Sequence, residues 1–300
     1  MEKNKLINRR KKITRRKFFK DVTLGAIGGA FIPALLSCGN AQSNADTEQS
    51  RVVRVLHSGA TDGSGGKDNG DLVESVIKEM VDEGVKTFTG KSSVNGAWAD
   101  IIPDPSKKVA IKVNCQITAI YTKSKVVTAI TDGLILRGIP ADNIVIYDRT
   151  DNAFDYGGYI KNTGSGIKVG TVDELGGWSS TSGLYNMAKL ICGESGDFDC
   201  DYIINVPCLK ALDGYSGVTL SMKNHYGTCY PEHSDIMNRI PLYNSLSQIK
   251  YKARLIILDG IFCNYQWDGS RDQSFVDITN KLLFAIFSEL KTIKEHLQKK

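Results

Sequence analysis

Hydrophobic residues in this chain occur in two patterns: short continuous runs, and longer segments with apolar residues at helical spacing. The continuous runs predict buried strands at 51–56, 108–113, 143–148, 202–206 and 254–259. The helical spacing predicts helices at 71–85 and 125–136. Strand, helix and strand between 108 and 148 make a βαβ unit. The predicted fold class is therefore α/β, a mostly parallel sheet with βαβ crossovers flanked by helices.

Two further segments have patterns of their own. Residues 151–182 are rich in Gly and Ser, which predicts a long excursion or insertion. Residues 279–300 carry apolar positions from Leu282 to Leu290 and end in lysines. This segment is predicted to be a helix that packs on the body of the domain.

The N-terminal residues resemble an export signal. Residues 14–20 read T-R-R-K-F-F-K, which is similar to the twin-arginine motif, with Arg15 and Arg16 as its arginine pair. The apolar stretch 22–36 is too short and too interrupted by Gly and Pro to span a bilayer. Residues 1–37 are therefore predicted to be a signal peptide whose partner is the twin-arginine translocase. The alternative is that these residues form a basic, amphipathic N-terminal segment of a cytosolic protein.

The sequence L-L-S-C at 35–38 resembles a lipobox, in which Cys38 becomes the lipid-modified N-terminus. The lipid would attach the protein to the membrane through a polar tether, 38–50, and residues 51–300 would form the α/β domain. The expected location is outside the cytoplasmic membrane, either periplasmic or otherwise extracytoplasmic. Twin-arginine substrates usually cross the membrane folded, often with a cofactor in place. Export in the folded state favours a bound cofactor without identifying it. The candidate cofactors are a transition metal and an iron–sulfur cluster.

The positive charge of the chain belongs to this leader. The whole chain has 38 basic and 33 acidic side chains, and residues 1–37 hold ten of the basic and two of the acidic ones. The remaining 28 basic and 31 acidic side chains give the domain a formal net charge of −3. A basic surface for nucleic acid is therefore not expected.

Polar residues follow several of the predicted strands, and ligands of α/β sheets gather at the carboxyl ends of the strands. Asn114, Asp148 and Asp259 stand at such ends, and Asn224 lies in a later polar segment. These four are the candidate ligand-binding residues. The alternative for each is a turn or a helix cap, because Asn and Asp favour both.

Several motifs resemble those of the DUF362 family. They are I-K-V-N at 111–114, D-Y-I-I-N-V-P-C-L-K at 201–210 and G-V-T-L-S-M-K-N-H-Y-G at 217–227. The resemblance covers most of 51–285 and implies a family whose biochemical function is not settled, some members of which carry ferredoxin-type iron–sulfur modules. This chain lacks a C-x-x-C-x-x-C run, so it gives no support for such a module of its own. Beyond 285 it departs from the family's usual D-P-V-A-x-D-like segment, which suggests a truncated or altered end.

Three lysines and a histidine are the candidate catalytic residues: Lys112, Lys210, Lys223 and His225. A lysine among apolar strand residues needs a negative partner. That partner is either an internal carboxylate, such as Asp148, Asp213 or Asp259, or a ligand carboxylate or phosphate. A third alternative is a lysine of lowered pKa that acts as a base or forms a Schiff base. His225 next to the K-N motif is a candidate acid–base or ligand-contacting residue.

Metal-ligand residue types are densest at His225, Cys229 and His233. Nitrogen and sulfur donors suit a transition metal, although the spacing matches no strong zinc signature. A structural loop is the alternative. Six cysteines follow Cys38, and they allow disulfides, a metal cluster or small buried hydrophobic residues.

Two functional hypotheses follow. The first is an exported enzyme that acts on a small anionic substrate, with a metal or redox cofactor as a further option. The second is a lipid-tethered, non-catalytic protein that binds an anionic ligand in the same cleft.

Overall fold

The protein is described here from a computed structural model. The described residues are 51–64, 66–180, 186–196, 198–212, 217–230, 236–266 and 275–285. The predicted signal, tether and lipid attachment site, with Arg15, Arg16 and Cys38, lie outside these residues. In the described part of the chain, no helix has the length and apolar character needed to cross a membrane.

The chain folds into twelve strands and eight α-helices in its described part. The strands are β1 (Val52–Leu56), β2 (Val109–Lys112), β3 (Ile144–Asp148), β4 (Lys168–Thr171), β5 (Trp178–Ser179), β6 (Asn186–Ala188), β7 (Tyr202–Asn205), β8 (Cys208–Leu212), β9 (Gly217–Thr219), β10 (Cys229–Tyr230), β11 (Ala253–Asn264) and β12 (Val276–Ala285). The helices are α1 (Glu74–Thr89), α2 (Val94–Ile101), α3 (Ser124–Leu136), α4 (Phe154–Gly157), α5 (Lys189–Cys192), α6 (Ser221–Asn224), α7 (Ile236–Ser245) and α8 (Ser247–Lys250).

The central sheet has the order β1-β12-β11-β7-β2-β3-β4, and β8 and β9 extend it beside β11. Strands β11, β7, β2, β3 and β4 run parallel, whereas β12 is antiparallel to both of its neighbours. Strands β2 and β3 are buried along their whole length, as expected for parallel strands covered on both faces. The α/β prediction and the βαβ unit formed by β2, α3 and β3 are confirmed.

Alternate residues of each strand enter two separate cores. Ile111 and Ile146 pack with the residues of α1, α2 and α3 on one face. Ala110 and Val145 face the opposite core, which is covered by the small sheet β10-β6-β5 and by α5, α7 and α8. Because side chains alternate along a strand, Lys112 lies on the same face of β2 as Ala110 and points toward this second core.

Two expectations about individual segments of the chain are wrong. The segment 151–182 is not merely an excursion, because it supplies β4, which pairs with β3 at the edge of the central sheet. The segment 279–285 is not helical, because it belongs to β12. Leu282 and Phe284 both enter the core, at a spacing of two, while β1 and β11 pair with the strand on either side. Pairing on both edges outweighs the helical spacing of the apolar residues. Residues 286–300 of that prediction lie outside the described residues.

Candidate functional site

A buried ion pair forms the base of the site. Lys112 ends β2 and Asp148 ends β3, and the two strands are adjacent and parallel. Lys112 Nζ lies 2.6 Å from Asp148 Oδ1, and both residues are buried. Asp148 also accepts hydrogen bonds from the backbone N–H groups of Cys115 and Arg149. The charge of Lys112 is therefore balanced within the protein.

A chain of amide side chains extends from this pair. Asn224, at the end of α6, accepts hydrogen bonds at Oδ1 from Asn114 Nδ2 at 2.9 Å and Lys112 Nζ at 3.3 Å. Its Nδ2 donates to Asn205 Oδ1 at 2.7 Å and to the Lys112 carbonyl at 3.2 Å. Asn114 Oδ1 in turn accepts from Lys210 Nζ at 2.7 Å. These amides thus connect the ends of β2 and β7 with β8 and α6.

Two further lysines approach this network without a carboxylate partner in the described part of the chain. Lys210 on β8 is 8% exposed, and within the described residues its ammonium group donates to the neutral amide of Asn114. Lys223 on α6 is partly buried. Burial, followed by the charge of Lys210, lowers the pKa of Lys223 from 10.5 to about 8. The lowered pKa means that the site as it stands does not stabilise the charge of Lys223.

These groups surround a cavity of about 50 Å³. Its lining contains four cationic side chains and one carboxylate, together with amide, tyrosine and glycine residues: Lys112, Asn114, Gln116, Asp148, Arg149, Lys210, Lys223, Asn224, Tyr226 and Gly227. The sequence-predicted residues Lys112, Asn114, Asp148, Lys210, Lys223 and Asn224 are thus brought together. With the formal charges of its residues, the pocket has a strong excess of positive charge.

His225 lies beside the network but not in the lining of the pocket. It is completely buried, and burial and the nearby charge of Lys112 lower its pKa from 6.5 to about 3. Nδ1 lies 3.2 Å from Thr228 Oγ1, which is itself 2.9 Å from the hydroxyl of Tyr147. Nε2 has no hydrogen-bond partner in the described structure. At neutral pH the imidazole is therefore uncharged and packed between β3 and the turn that follows α6.

Asp259 belongs to a second buried group, outside the pocket lining. One oxygen accepts the backbone N–H of Lys123 at 2.8 Å, just before α3, and the other accepts the N–H of Ile261 at 3.2 Å. The Lys123 ammonium lies 3.6 Å from the ring centroid of Tyr121 and 5.0 Å from that of Phe262. Burial raises the pKa of Asp259 and lowers that of Lys123. Asp259 thus holds the start of α3, and sequence analysis did not identify its neighbour Lys123.

The candidate metal ligands do not gather in the described structure. Among the described residues, no group of three His, Cys, Asp or Glu side chains is arranged to hold a metal ion. His225 and Cys229 are both buried, and His233 lies outside the described residues. All six described cysteines are free thiols, and five of them are buried. The five buried thiols occupy positions typical of small hydrophobic residues, and a metal or iron–sulfur cofactor stays a prediction.

Two residues that were not predicted from the sequence, Asn205 and Gly227, and one residue beside a strand end, Cys208, also contribute to the site. Asn205 bonds to Asn224 from the end of β7, directly opposite Lys112 in the sheet register. Gly227 lies against the ion pair: a Cβ there would come within 2.9 Å of both Lys112 Nζ and Asp148 Oδ1. Cys208 donates through its thiol to Asn114 Oδ1 at 3.3 Å. All three residues lie in the motifs at 201–210 and 217–227, and Asn205 also ends a buried strand.

Comparison with known proteins places this site in a family. The family model "Domain of unknown function (DUF362)" matches residues 109–285, which include every residue that lines the pocket. No curated protein and no solved structure shows a significant match to the chain.

Proposed function

The chain belongs to the DUF362 family, and we propose that its pocket binds a small anionic ligand between the ammonium groups of Lys210 and Lys223. The proposal rests on one observation: of the three lysines in the pocket, only Lys112 pairs with a carboxylate among the described residues. A buried charge is costly unless it is paired. An anionic ligand would supply the negative charge that Lys210 and Lys223 lack.

The internal ion-pair alternative accounts for Lys112 alone. Asp148 lies 2.6 Å from Lys112 and also accepts hydrogen bonds from two backbone N–H groups, so both of its oxygens already have partners. Asp259 lines no part of the pocket and bonds to the backbone beside Lys123. Neither carboxylate therefore compensates Lys210 or Lys223. Asp213, the other carboxylate considered, lies outside the described residues.

The asparagines are assigned a positioning role in this proposal. Asn224 uses both its amide oxygen and its amide nitrogen within the network. Asn114 Oδ1 holds the Lys210 ammonium at 2.7 Å, and its Nδ2 is donated to Asn224. Because these amides use their hydrogen-bonding groups within the network, their role is to position the lysines, and the lysines contact the ligand.

Anion titration by calorimetry tests the proposal. We expect Lys210→Met and Lys223→Met each to weaken binding of sulfate at least tenfold, because each removes one ammonium group and keeps the side chain long and apolar. Lys78→Met is the matched control, because Lys78 lies exposed on α1 and pairs with Asp82. Circular dichroism establishes that each variant is folded. Equal sulfate affinity in all four proteins, or no binding to any, would overturn the proposal.

An enzymatic use of the pocket is favoured by the pKa of Lys223. At about 8, it lets the amine exist in both protonation states near neutral pH, as a general acid or base requires. Lys223→Arg distinguishes an enzyme from a binding protein, because arginine keeps the charge but does not release its proton. In an enzyme, that variant keeps ligand affinity and loses turnover. In a binding protein, no turnover is present to lose.

We also propose that the protein is exported by the twin-arginine translocase and held at the membrane through lipid on Cys38. The support is the sequence of residues 14–38. Replacing Arg15 and Arg16 together by lysine should leave the protein in the cytoplasm. Cys38→Ser should release it from the membrane fraction without returning it to the cytoplasm. Membrane-bound protein in both variants would contradict the proposal.

A further inference from the structure

We infer that the pocket selects a compact dianion of the phosphate or sulfate type over singly charged carboxylates. This inference rests on the proposed function and names the class of ligand. The charge, the donor groups and the size of the pocket support it.

The charge of the lining matches a dianion. Lys112 and Asp148 cancel each other across 2.6 Å, so this pair adds no net charge. Lys210 and Lys223 then contribute two positive charges with no carboxylate partner in the described chain. A monoanion would leave at least one of the two ammonium groups without a counter-charge in a partly desolvated site. A dianion neutralises both.

The donor groups match an ion with many acceptor positions. An ammonium group carries three N–H donors. Lys210 uses one of them on Asn114, and Lys223 uses none on the described residues. About five N–H groups are therefore free for a ligand. The oxygens of phosphate or sulfate accept this number readily, and charged oxyanions make stronger hydrogen bonds with ammonium donors than neutral acceptors do.

The size of the cavity suits one compact group, either as a free ion or at the end of a larger molecule. Its volume is about 50 Å³, whereas sites for drug-sized molecules and cofactors have volumes of roughly 300–1,000 Å³. A single compact group fits this space. Two carboxylates separated along a carbon chain, as in a dicarboxylate, need more room than one tetrahedral ion. The pocket is therefore matched to two charges concentrated on one group.

Competition among small anions tests the selection. Sulfate, inorganic phosphate, acetate and malonate are titrated into the purified full-length protein at constant ionic strength and pH 7.5, where phosphate is mainly a dianion and Lys223 is still mostly protonated. We expect sulfate and phosphate to bind at least tenfold more tightly than acetate, and more tightly than malonate. Acetate or malonate binding as tightly as sulfate would overturn this inference but leave the anion-binding proposal intact. Binding of none of the four would overturn both.

Variants show whether the two ammonium groups are the cause of the selection. In Lys223→Met the preference for sulfate over acetate should fall at least threefold, and Lys223→Arg should restore it because the positive charge returns. Lys78→Met should keep the wild-type preference. An unchanged preference in folded Lys223→Met would contradict the inference.

Methyl phosphate identifies the source of the dianion. If the ligand is a phosphoryl group on a larger molecule, methyl phosphate binds about as tightly as inorganic phosphate. If it is the free ion, the methyl group weakens binding severalfold. Both results are consistent with a preference for dianions. If neither methyl phosphate nor phosphate binds better than acetate, the inference is wrong.

Discussion

Lys112 and Asp148 form the buried ion pair on which the rest of the pocket is built, with their charged atoms 2.6 Å apart. The pair removes one of the pocket's positive charges and places Lys112 Nζ where it also bonds to Asn224. Through Asn224 and Asn114 this geometry reaches Lys210. One internal pair therefore both sets the charge of the site and orients a lysine on another strand.

Asp148→Asn should destabilise the fold. The substitution leaves Lys112 buried without a counter-charge, and breaking a buried pair in this way costs about 3–5 kcal/mol. Urea unfolding should show this loss as a lower midpoint with an unchanged slope. Asp151→Asn is the control, because its pair with Lys161 is partly exposed and should be worth less than about 1 kcal/mol. Equal losses in the two variants would refute the role given to the buried pair.

Sulfate affinity should depend on pH through Lys223. Burial and the charge of Lys210 lower the pKa of Lys223 to about 8, so it is protonated below pH 7 and loses its proton as pH rises through 8. Sulfate remains a dianion throughout, so its affinity should be constant below pH 7 and fall above 8. The groups that face Lys223 or share the pocket with it are Lys210, Cys208, Lys112, Asp148, Arg149 and Tyr226.

The matched variant for this pH profile is Lys223→Arg. Arginine stays protonated across the range, so the fall in affinity above pH 8 should disappear. Calorimetry at pH 6.5, 8.0 and 9.5 measures both profiles. A wild-type affinity that does not change between pH 6.5 and 9.5 would show that protonated Lys223 is not needed for binding.

Acid should destabilise the protein partly through His225. Its pKa is about 3 in the folded protein and near 6.5 in the unfolded chain, so the unfolded chain binds more protons between these values. Stability contributed by neutral His225 is therefore complete above pH 6.5 and is lost as pH falls toward 3. Lowering the pH from 7.5 to 5.0 should cost the wild type about 2 kcal/mol more than it costs His225→Gln. Urea unfolding at both pH values measures this difference, and equal losses would contradict it.

Gly227→Ala should disturb the ion pair directly. A Cβ at this position would meet Lys112 Nζ and Asp148 Oδ1 at 2.9 Å, which requires one of them to move. We expect a loss of about 1–3 kcal/mol in unfolding free energy, together with weaker sulfate binding. Gly164→Ala is the control, since its Cβ would meet nothing nearer than Asn162 Oδ1 at 3.5 Å. Two variants of equal stability would mean that the turn at Gly227 accommodates a side chain freely.

The location of the site could be predicted from the sequence because parallel strands end at the same edge of a sheet. Lys112, Asn114 and Asp148 follow or end buried strands, and those strand ends do meet. The positive charge of Lys210 and Lys223 beside apolar strand residues and turns made them candidates too, and they lie on β8 and α6 beside that edge.

The pairing of the charges could not be predicted, because it depends on register and on side-chain direction. Lys112 lies opposite Tyr147, which places Asp148 one residue beyond it and within reach of its ammonium group. Asp259 also ends a buried run of residues, yet it bonds to the backbone of Lys123 instead of entering the pocket. Strand β12 was missed for a similar reason, since its pairing with β1 and β11 is set by partners distant in sequence.

The most direct test of the anion-binding pocket is a crystal structure of the protein with selenate, a sulfate analogue whose selenium gives an anomalous signal. We expect an anomalous peak in the pocket, with selenate oxygens within hydrogen-bond distance of Lys210 Nζ and Lys223 Nζ, and no peak there in Lys223→Met. A wild-type crystal whose pocket contains no selenate at concentrations that saturate sulfate binding in solution would contradict it.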